Sequence, residues 1–120
     1  MLLEKAWAKV KGNYEMVDGG FVENGLRSLV GCPVFSYSTA GLIADETFTV
    51  LAAANNSNYI MGADTRGGND STLNECGIPM GHAYSLISAF YLKTGSTIDH
   101  KVYMIRNPWG TTNFNQSLNY

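Results

Sequence analysis

Residues 83–106 read AYSLISAFYLKTGSTIDHKVYMIR, and this stretch decides the fold of the chain. Aromatic and β-branched side chains are frequent in its two outer parts, 83–92 and 101–106, and such residues favour strands. The segment KTGS at 93–96 lies between them and has the glycine and small polar residues typical of a turn. We therefore predict two antiparallel strands joined as a hairpin, with a loop somewhat longer than two residues.

The open end of this predicted hairpin carries two polar residues. His82 stands at the entry of the first strand and Asn107 at the exit of the second. Antiparallel pairing brings these ends together, and the midpoint between 82 and 107 falls between Thr94 and Gly95, inside the predicted turn. We therefore expect His82 and Asn107 to be near neighbours at one rim of the sheet, where a β-bulge would shift the pairing by a residue or two.

A histidine beside an asparagine amide has a specific chemical use. The amide oxygen accepts a hydrogen bond from one imidazole nitrogen, which selects the tautomer and presents the other nitrogen to a nucleophile. Trp109 is well placed to cover this bond, and Gly81 and Gly110 leave room for a close approach of backbone or substrate. This is the arrangement of Cys-His-Asn proteases. His82 and Asn107 are therefore the candidate catalytic residues, with Trp109 and Gly81 in support.

The rest of the chain predicts short helices and one further strand. Amphipathic spacing, cap residues and turn residues delimit these elements. They are a helix over 2–11, a second helix capped by Asn24 and ended by Gly31, a third helix from a cap at Asp45 to Asn56, a strand at 59–61 and a polar loop over 64–78. A small antiparallel sheet with separate short helices is an α+β fold.

The composition is that of one globular domain. The chain has 120 residues, of which 45% are hydrophobic, and a formal net charge of −2. It has no basic run, which argues against a nucleic-acid partner, and no run of eighteen apolar residues, which argues against a membrane span. Charged residues interrupt the N-terminal stretch MLLEKAWAKVKG, which does not have the pattern of a signal peptide, so we expect a cytoplasmic protein.

Two blocks of the sequence resemble the signature blocks of the calpain catalytic domain. They are GHAYS at 81–85, which in calpains carries the catalytic histidine, and IRNPWG at 105–110, which carries the catalytic asparagine. The stretch LEKAWAKV at 3–10 is similar to the segment that follows the cysteine-bearing helix of calpains. SNYIMG at 57–62 resembles a calpain segment that lies between that region and the histidine block. The resemblance spans nearly the whole chain, in the order of the family.

This resemblance implies a fold and a function. It implies that residues 1–120 are part of a papain-like catalytic domain, an α+β half that faces a mostly helical, cysteine-bearing half across the substrate cleft. It also implies hydrolysis of internal peptide bonds in proteins, with the cysteine thiolate attacking, His82 moving the proton and Asn107 orienting His82. In calpains calcium aligns the two halves. Calcium is therefore expected in the intact protein, and no cofactor is expected within this chain.

The nucleophile of the family is not among these residues. In calpains it lies in a Gln-to-Cys-Trp segment upstream of residue 1, together with the glutamine that helps to form the oxyanion hole. Cys32 stands between Gly31 and Pro33, and Cys76 stands between a glutamate and a glycine. Neither has the Cys-Trp context or a following helix N-terminus that would activate a thiol. We therefore expect the 120 residues alone to have no peptidase activity.

The remaining polar residues do not favour a metal site. Residues 111–120, where calpains have acidic calcium ligands, contain no carboxylate. His100 is expected to be solvated at the loop edge of the hairpin. Two further groupings are weak as ligand sets: Asp64, Asp70 and Glu75, which match no calcium-loop spacing and favour a solvated loop, and Cys76 with His82, which lack the two further ligands of a zinc site.

Two classes of function remain open at this stage. The first is a piece of a calpain-type endopeptidase, whose partners are a protein or peptide substrate and the cysteine-bearing half of the catalytic domain. The second is a short calpain-like protein without protease activity that serves as an interaction module. We favour the first, because the sequence begins inside a predicted helix and ends within a recognisable block.

Overall fold

A computed structural model describes residues 2–39 and 44–110 of the chain. The chain divides into an N-terminal unit, residues 1–34, and a C-terminal unit, residues 35–120. The described residues form short helices and one antiparallel sheet of strand order β1-β2-β3, which confirms the α+β class, and none of their helices is long and apolar enough to cross a membrane. The elements are α1 (Leu2–Lys11), a 3₁₀ helix (Glu15–Val17), α2 (Val22–Val30), α3 (Ala44–Asn56), β1 (Met61–Asp64), β2 (Ala83–Thr94) and β3 (Thr97–Arg106).

The N-terminal unit contains the first two helices. Gly12 ends α1, and Gly31 ends α2 with a left-handed backbone, both as predicted. The predicted cap of α2 is wrong, because the helix begins at Val22 and Asn24 lies in its first turn. The extended backbone of Phe21 takes the cap position, and the Asn24 N–H already donates to the Phe21 carbonyl at 3.1 Å.

The first strand begins later than predicted because a turn follows the end of α3. Asp45 lies inside the first turn of α3 rather than at its cap, and the helix ends at Asn56 as predicted. A strand was predicted at 59–61, but these bounds are wrong, since β1 covers Met61–Asp64 and shares only Met61 with the prediction. The reason is that the Tyr59 N–H donates to the Ala54 carbonyl at 3.0 Å. Tyr59 is therefore part of the turn that follows α3, and pairing begins only two residues later.

The hairpin of β2 and β3 is longer and tighter than predicted. Thr94 pairs with Thr97, so the loop consists of Gly95 and Ser96, and the prediction of a longer loop is wrong. Gly95 has a φ of +61°, the left-handed conformation that two-residue hairpin loops require and that glycine adopts without strain. His100 consequently lies within β3 and not at a loop edge, although it is exposed.

Two β-bulges interrupt the pairing of β2 with β3. Ile87 is the extra residue on β2 and Asp99 is the extra residue on β3, so the two register shifts cancel. The bulge at Ile87 also explains the burial pattern of β2, in which Leu86 and Ala89 are both buried although they are three residues apart. Strict alternation would place these two side chains on opposite faces, and the extra residue returns them to the same face.

The core of the C-terminal unit lies between α3 and this face of the sheet. Phe48 of α3 is only 1% exposed, and its ring contacts Tyr91 of β2 and Tyr103 of β3 at centroid distances of 4.9 and 5.3 Å. Asp45 and Lys101 form an ion pair that joins α3 to β3 beside this cluster. Burial raises the pKa of the Tyr103 phenol, and the Lys101 ammonium acts in the opposite direction. The helix thus supports the hairpin whose open end carries His82 and Asn107.

Candidate active site

The open end of the hairpin brings His82 and Asn107 together. The ladder of β2 and β3 reaches Ser85 opposite Arg106, so His82 lies three residues before that pair and Asn107 one residue after it. The side chains meet, with Nε2 of His82 3.0 Å from Oδ1 of Asn107, and both residues are half-buried. The proximity expected from antiparallel pairing is therefore present in the structure.

The hydrogen bonds of the amide determine the tautomer of His82. Oδ1 of Asn107 also accepts the backbone N–H of Trp109 at 3.1 Å, and a flipped amide would direct its NH₂ group against that N–H. The atom that faces His82 is therefore the oxygen, which only accepts hydrogen bonds. Nε2 must carry the proton, and in the neutral imidazole Nδ1 is then the nitrogen that accepts one.

Two aromatic rings restrict the movement of the imidazole. The Trp109 ring lies 4.3 Å from the His82 ring, centroid to centroid, at 43°, and so packs against the imidazole. The Tyr84 ring approaches His82 at 4.8 Å and 89°, edge to face. Burial raises the pKa of the Tyr84 phenol above its ordinary value. The imidazole that is hydrogen-bonded to Asn107 therefore packs against both rings.

Tyr84 is a site residue that sequence reasoning did not single out. The signal for it was available, because residues two apart on a strand share a face, and Tyr84 stands two residues after His82. It is buried, and its hydroxyl donates to the Pro79 carbonyl at 3.4 Å. Tyr84 therefore links the imidazole to the loop that precedes it.

The two glycines near the site differ in what they allow. Gly81 has a φ of +55°, and a Cβ at this position would lie 3.1 Å from the carbonyl oxygen of Gly68. It thus permits the close backbone approach that was predicted. Gly110 has a φ of +75° and a Cβ there would meet open space, so its backbone conformation rather than a neighbour requires glycine. Its N–H donates to the Asn107 carbonyl at 3.2 Å, which closes the turn after β3.

The other candidate ligands and thiols do not form a second centre. Cys32, in the N-terminal unit, and Cys76, in the C-terminal unit, are exposed free thiols. The Cys76 N–H donates to Oδ1 of Asn74 in a tight turn, not at the start of a helix. Asp64 ends β1, while Asp70 and Glu75 lie in the loop that follows.

Metal ligands do not cluster in the part of the chain that the structure describes. Among residues 2–39 and 44–110, no group of three or more His, Cys, Asp or Glu side chains is arranged to hold a metal ion. Calcium sites need several oxygen ligands, with carboxylates among them. The described residues therefore do not fit a calcium site.

Comparison with known proteins agrees with the chemistry of this pair. The sequence profile described as "Calpain family cysteine protease" matches residues 1–119. The chain belongs to the calpain family. Calpain-type cysteine protease DEK1 of Zea mays is 32% identical over 114 residues, which are 90% of this chain and 5% of that protein. Calpain-9 of Homo sapiens is 33% identical over 121 residues, which are 97% of this chain and 17% of calpain-9.

This calpain-family chain spans only a small part of its relatives. The calpain-2 catalytic subunit of Homo sapiens is 28% identical over 112 residues, which cover 91% of this chain and 16% of that subunit. Across these three relatives the matched share lies between 5% and 17% of their length. Within this small part, the chain provides an imidazole, the amide that orients it and the indole that covers it.

Proposed function

We propose that this chain supplies the general base and its orienting amide to a calpain-type cysteine endopeptidase that hydrolyses internal peptide bonds of proteins. The observation that carries the proposal is the 3.0 Å contact between Nε2 of His82 and Oδ1 of Asn107. This contact leaves Nδ1 as the basic atom of a neutral imidazole. Membership in a cysteine protease family supports the same assignment.

The proposed reaction uses His82 first as a base and then as an acid. Nδ1 of His82 takes the proton of a cysteine thiol, and the thiolate attacks the carbonyl carbon of the scissile peptide bond. His82 returns the proton to the leaving amine, and a water molecule, deprotonated in the same way, then hydrolyses the thioester. Asn107 accepts the Nε2–H throughout, so the imidazole neither rotates nor changes tautomer between the two steps.

The thiol in this proposal comes from a cysteine-bearing half of the catalytic domain. Cys32 and Cys76 have no helix N-terminus of the kind that activates a nucleophile, and the chain alone is proposed to be inactive. Leu2, Leu3 and Val10 of α1 are exposed, which agrees with a surface that a further protein segment covers. By resemblance to calpains, we also propose that the intact protein is calcium-dependent, and from the charged N-terminal stretch we propose a cytoplasmic location.

A segment exchange tests the proposed function. This chain would replace the matching segment of human calpain-9, after the casein hydrolysis of that host has been measured with and without calcium. The hybrid is expected to hydrolyse casein and to lose activity after thiol alkylation. His82→Ala should lower kcat by about 10² or more, because general acid–base catalysis contributes roughly 10² to 10⁴.

The second histidine of the chain provides a matched control. His100 is exposed on β3, so His100→Ala should leave kcat of the hybrid unchanged. Equal activity of the two alanine variants would refute the role of His82. Thiol-sensitive turnover by the purified 120-residue chain would refute its proposed inactivity. A folded hybrid without turnover would instead favour the non-catalytic interaction module.

A further inference from the structure

A threonine hydroxyl holds the backbone of His82. The pairing of β1 with β2 ends at Asp64 opposite Ala83, and Thr65 and His82 are the next residue on each side. The Thr65 N–H donates to the His82 carbonyl at 2.9 Å, as in an ordinary ladder. In the other direction, the His82 N–H donates at 3.1 Å to Oγ1 of Thr65 and not to a carbonyl. A side chain therefore completes the last step of this pairing.

The single proton of this hydroxyl is directed to the opposite side of the loop. Oγ1 of Thr65 lies 2.7 Å from the Pro79 carbonyl oxygen and 3.3 Å from the His82 carbonyl oxygen. The shorter contact is the better hydrogen bond, so the hydroxyl donates to Pro79 while it accepts from His82. Thr65 thus joins two points of the segment 79–82, one on each side of the turn that leads to His82.

The turn between these two points has little freedom of its own. Gly81 is in the left-handed conformation and lies against the carbonyl oxygen of Gly68, while the Met80 N–H donates to the Thr72 carbonyl at 2.8 Å. A backbone held at Pro79 and at His82 determines the direction of the His82 Cα–Cβ bond. That direction decides whether the imidazole reaches Asn107.

We infer that Thr65 is a positioning residue for His82, which it holds through the hydrogen bond from the His82 N–H to its hydroxyl. The inference rests on the proposed function, because it gives Thr65 a role only if His82 is the base. The hydrogen bonds between Thr65 and His82 are made to the His82 backbone, so Thr65 acts on the imidazole through that backbone. Without the hydroxyl, the His82 N–H loses its acceptor and the Pro79 carbonyl loses its shortest hydrogen bond, so the two ends of the turn are held less firmly.

Three threonine variants test this role in the hybrid protease. Thr65→Val keeps the shape of the side chain and removes the hydroxyl, and Thr65→Ser keeps the hydroxyl. Thr49→Val is the matched control, since the Thr49 hydroxyl donates within α3, to the Asp45 carbonyl at 2.8 Å. Thr65→Val should lower kcat by about tenfold with KM within about twofold, because small displacements of a catalytic group cost up to roughly 10² in rate. Thr65→Ser and Thr49→Val should retain the parent kcat.

NMR of the 120-residue chain itself, outside the hybrid, reports the tautomer of His82. A purely structural role of Thr65 would not change that tautomer. With ¹⁵N-labelled histidine, the His82 ring in the parent chain should show the pure Nε2–H tautomer. Thr65→Val should give a mixture of tautomers, while Thr49→Val should give the parent spectrum. In the unsubstituted chain, the backbone amide of His82 is expected to exchange its hydrogen slowly. Exchange as fast as that of an amide without a hydrogen bond overturns the inference.

The outcomes separate this inference from the proposed function. A Thr65→Val variant with the kcat and the tautomer of the Thr49→Val control overturns the role of Thr65, even if His82→Ala abolishes turnover. A Thr65→Ser variant that fails to restore kcat overturns it as well. Equal activity of His82→Ala and His100→Ala refutes the proposed function itself. If Thr65→Val does not fold, Thr65→Ala removes the same hydroxyl and is measured in its place.

Discussion

At the scale of single residues, one oxygen atom organises the candidate site. Oδ1 of Asn107 accepts both the Nε2–H of His82 and the backbone N–H of Trp109. The first bond selects the imidazole tautomer, and the second keeps the amide from flipping. The same turn places the Trp109 ring over the imidazole, so the residue that anchors the amide also covers the bond to His82. Orientation and shielding therefore depend on a single short segment.

Removal of this amide should impair the chemical step more than substrate binding. In the hybrid protease, Asn107→Ala is expected to lower kcat by about ten- to a hundredfold, a part of the roughly 10² to 10⁴ that a well-placed acid–base group contributes. KM should change little, because Asn107 acts through His82. Steady-state kinetics on a peptide substrate measures both constants.

The control for Asn107 is another asparagine of the C-terminal unit. Asn56 is exposed at the end of α3, and Asn56→Ala should retain the parent kcat. An Asn107→Ala variant as active as this control would show that the imidazole is oriented without the amide. The loss for Asn107→Ala should also stay below that for His82→Ala, since the base itself remains.

At the scale of elements, the turn before β2 depends on glycine for two reasons. Gly81 and Gly95 both have left-handed backbones, with φ values of +55° and +61°. They differ in surroundings, because a Cβ at Gly95 would meet open space and a Cβ at Gly81 would press on the carbonyl oxygen of Gly68. A substitution at Gly95 therefore introduces backbone strain alone, whereas a substitution at Gly81 introduces backbone strain and a steric clash.

Alanine at these two glycines should destabilise the chain to different degrees. Gly95→Ala is expected to lower the free energy of unfolding by about 1–2 kcal/mol, the cost of a left-handed conformation for a residue with a Cβ. Gly81→Ala should cost about 1 kcal/mol or more beyond that, because the Gly68 backbone must move. Urea denaturation followed by circular dichroism measures both values. Equal losses would mean that the Gly68 carbonyl yields without cost.

The β-bulges are the feature of these elements that the pattern of residues does not reveal. The bulge at Ile87 changes the buried positions of β2 from even to odd numbers, so that Tyr84, Leu86 and Ala89 share one face. Asp99 adds a residue to β3 and cancels the shift. Because of this compensation, the ladder reaches Ser85 and Arg106 in the same register in which it leaves the turn. A hairpin with only one bulge would move Asn107 by one residue relative to His82.

At the scale of the whole molecule, a few side chains carry the core that supports the site. Phe48 is the largest fully buried side chain among the residues that the structure describes, and it lies against Tyr91 and Tyr103. It joins α3 to both long strands. A core of this size leaves little reserve of stability, since small domains bury a low fraction of their surface.

Loss of the Phe48 ring should unfold the C-terminal unit or bring it close to unfolding. Phe48→Ala is expected to cost about 3–5 kcal/mol, the range for truncation of a buried phenylalanine. Phe35→Ala is the matched control in the same unit, because Phe35 is 78% exposed, and it should change the free energy of unfolding by less than about 0.5 kcal/mol. Thermal denaturation of both variants compares them. A similar melting temperature for the two would place the core elsewhere.

The sequence by itself determined the element types, the ends of α1, α2 and α3, and the approach of His82 to Asn107. These depend on local rules: helical spacing, glycines that end helices, and the fact that an antiparallel hairpin returns to its starting edge. The GHAYS and IRNPWG blocks also resemble the calpain signature blocks, and the match over residues 1–119 confirms that the chain belongs to this family.

Only the tertiary structure decided how precisely these parts meet. The cap of α2, the start of β1 and the two-residue loop after Thr94 depend on which backbone groups find partners, and residue types alone leave that open. The same holds for the Tyr84 edge on the imidazole and for the Thr65 hydroxyl beneath His82. The physical reason is that each of these groups has several possible partners, and packing and bulges select among them in a way that no local pattern encodes; Thr65 and His82 are moreover 17 residues apart in the chain.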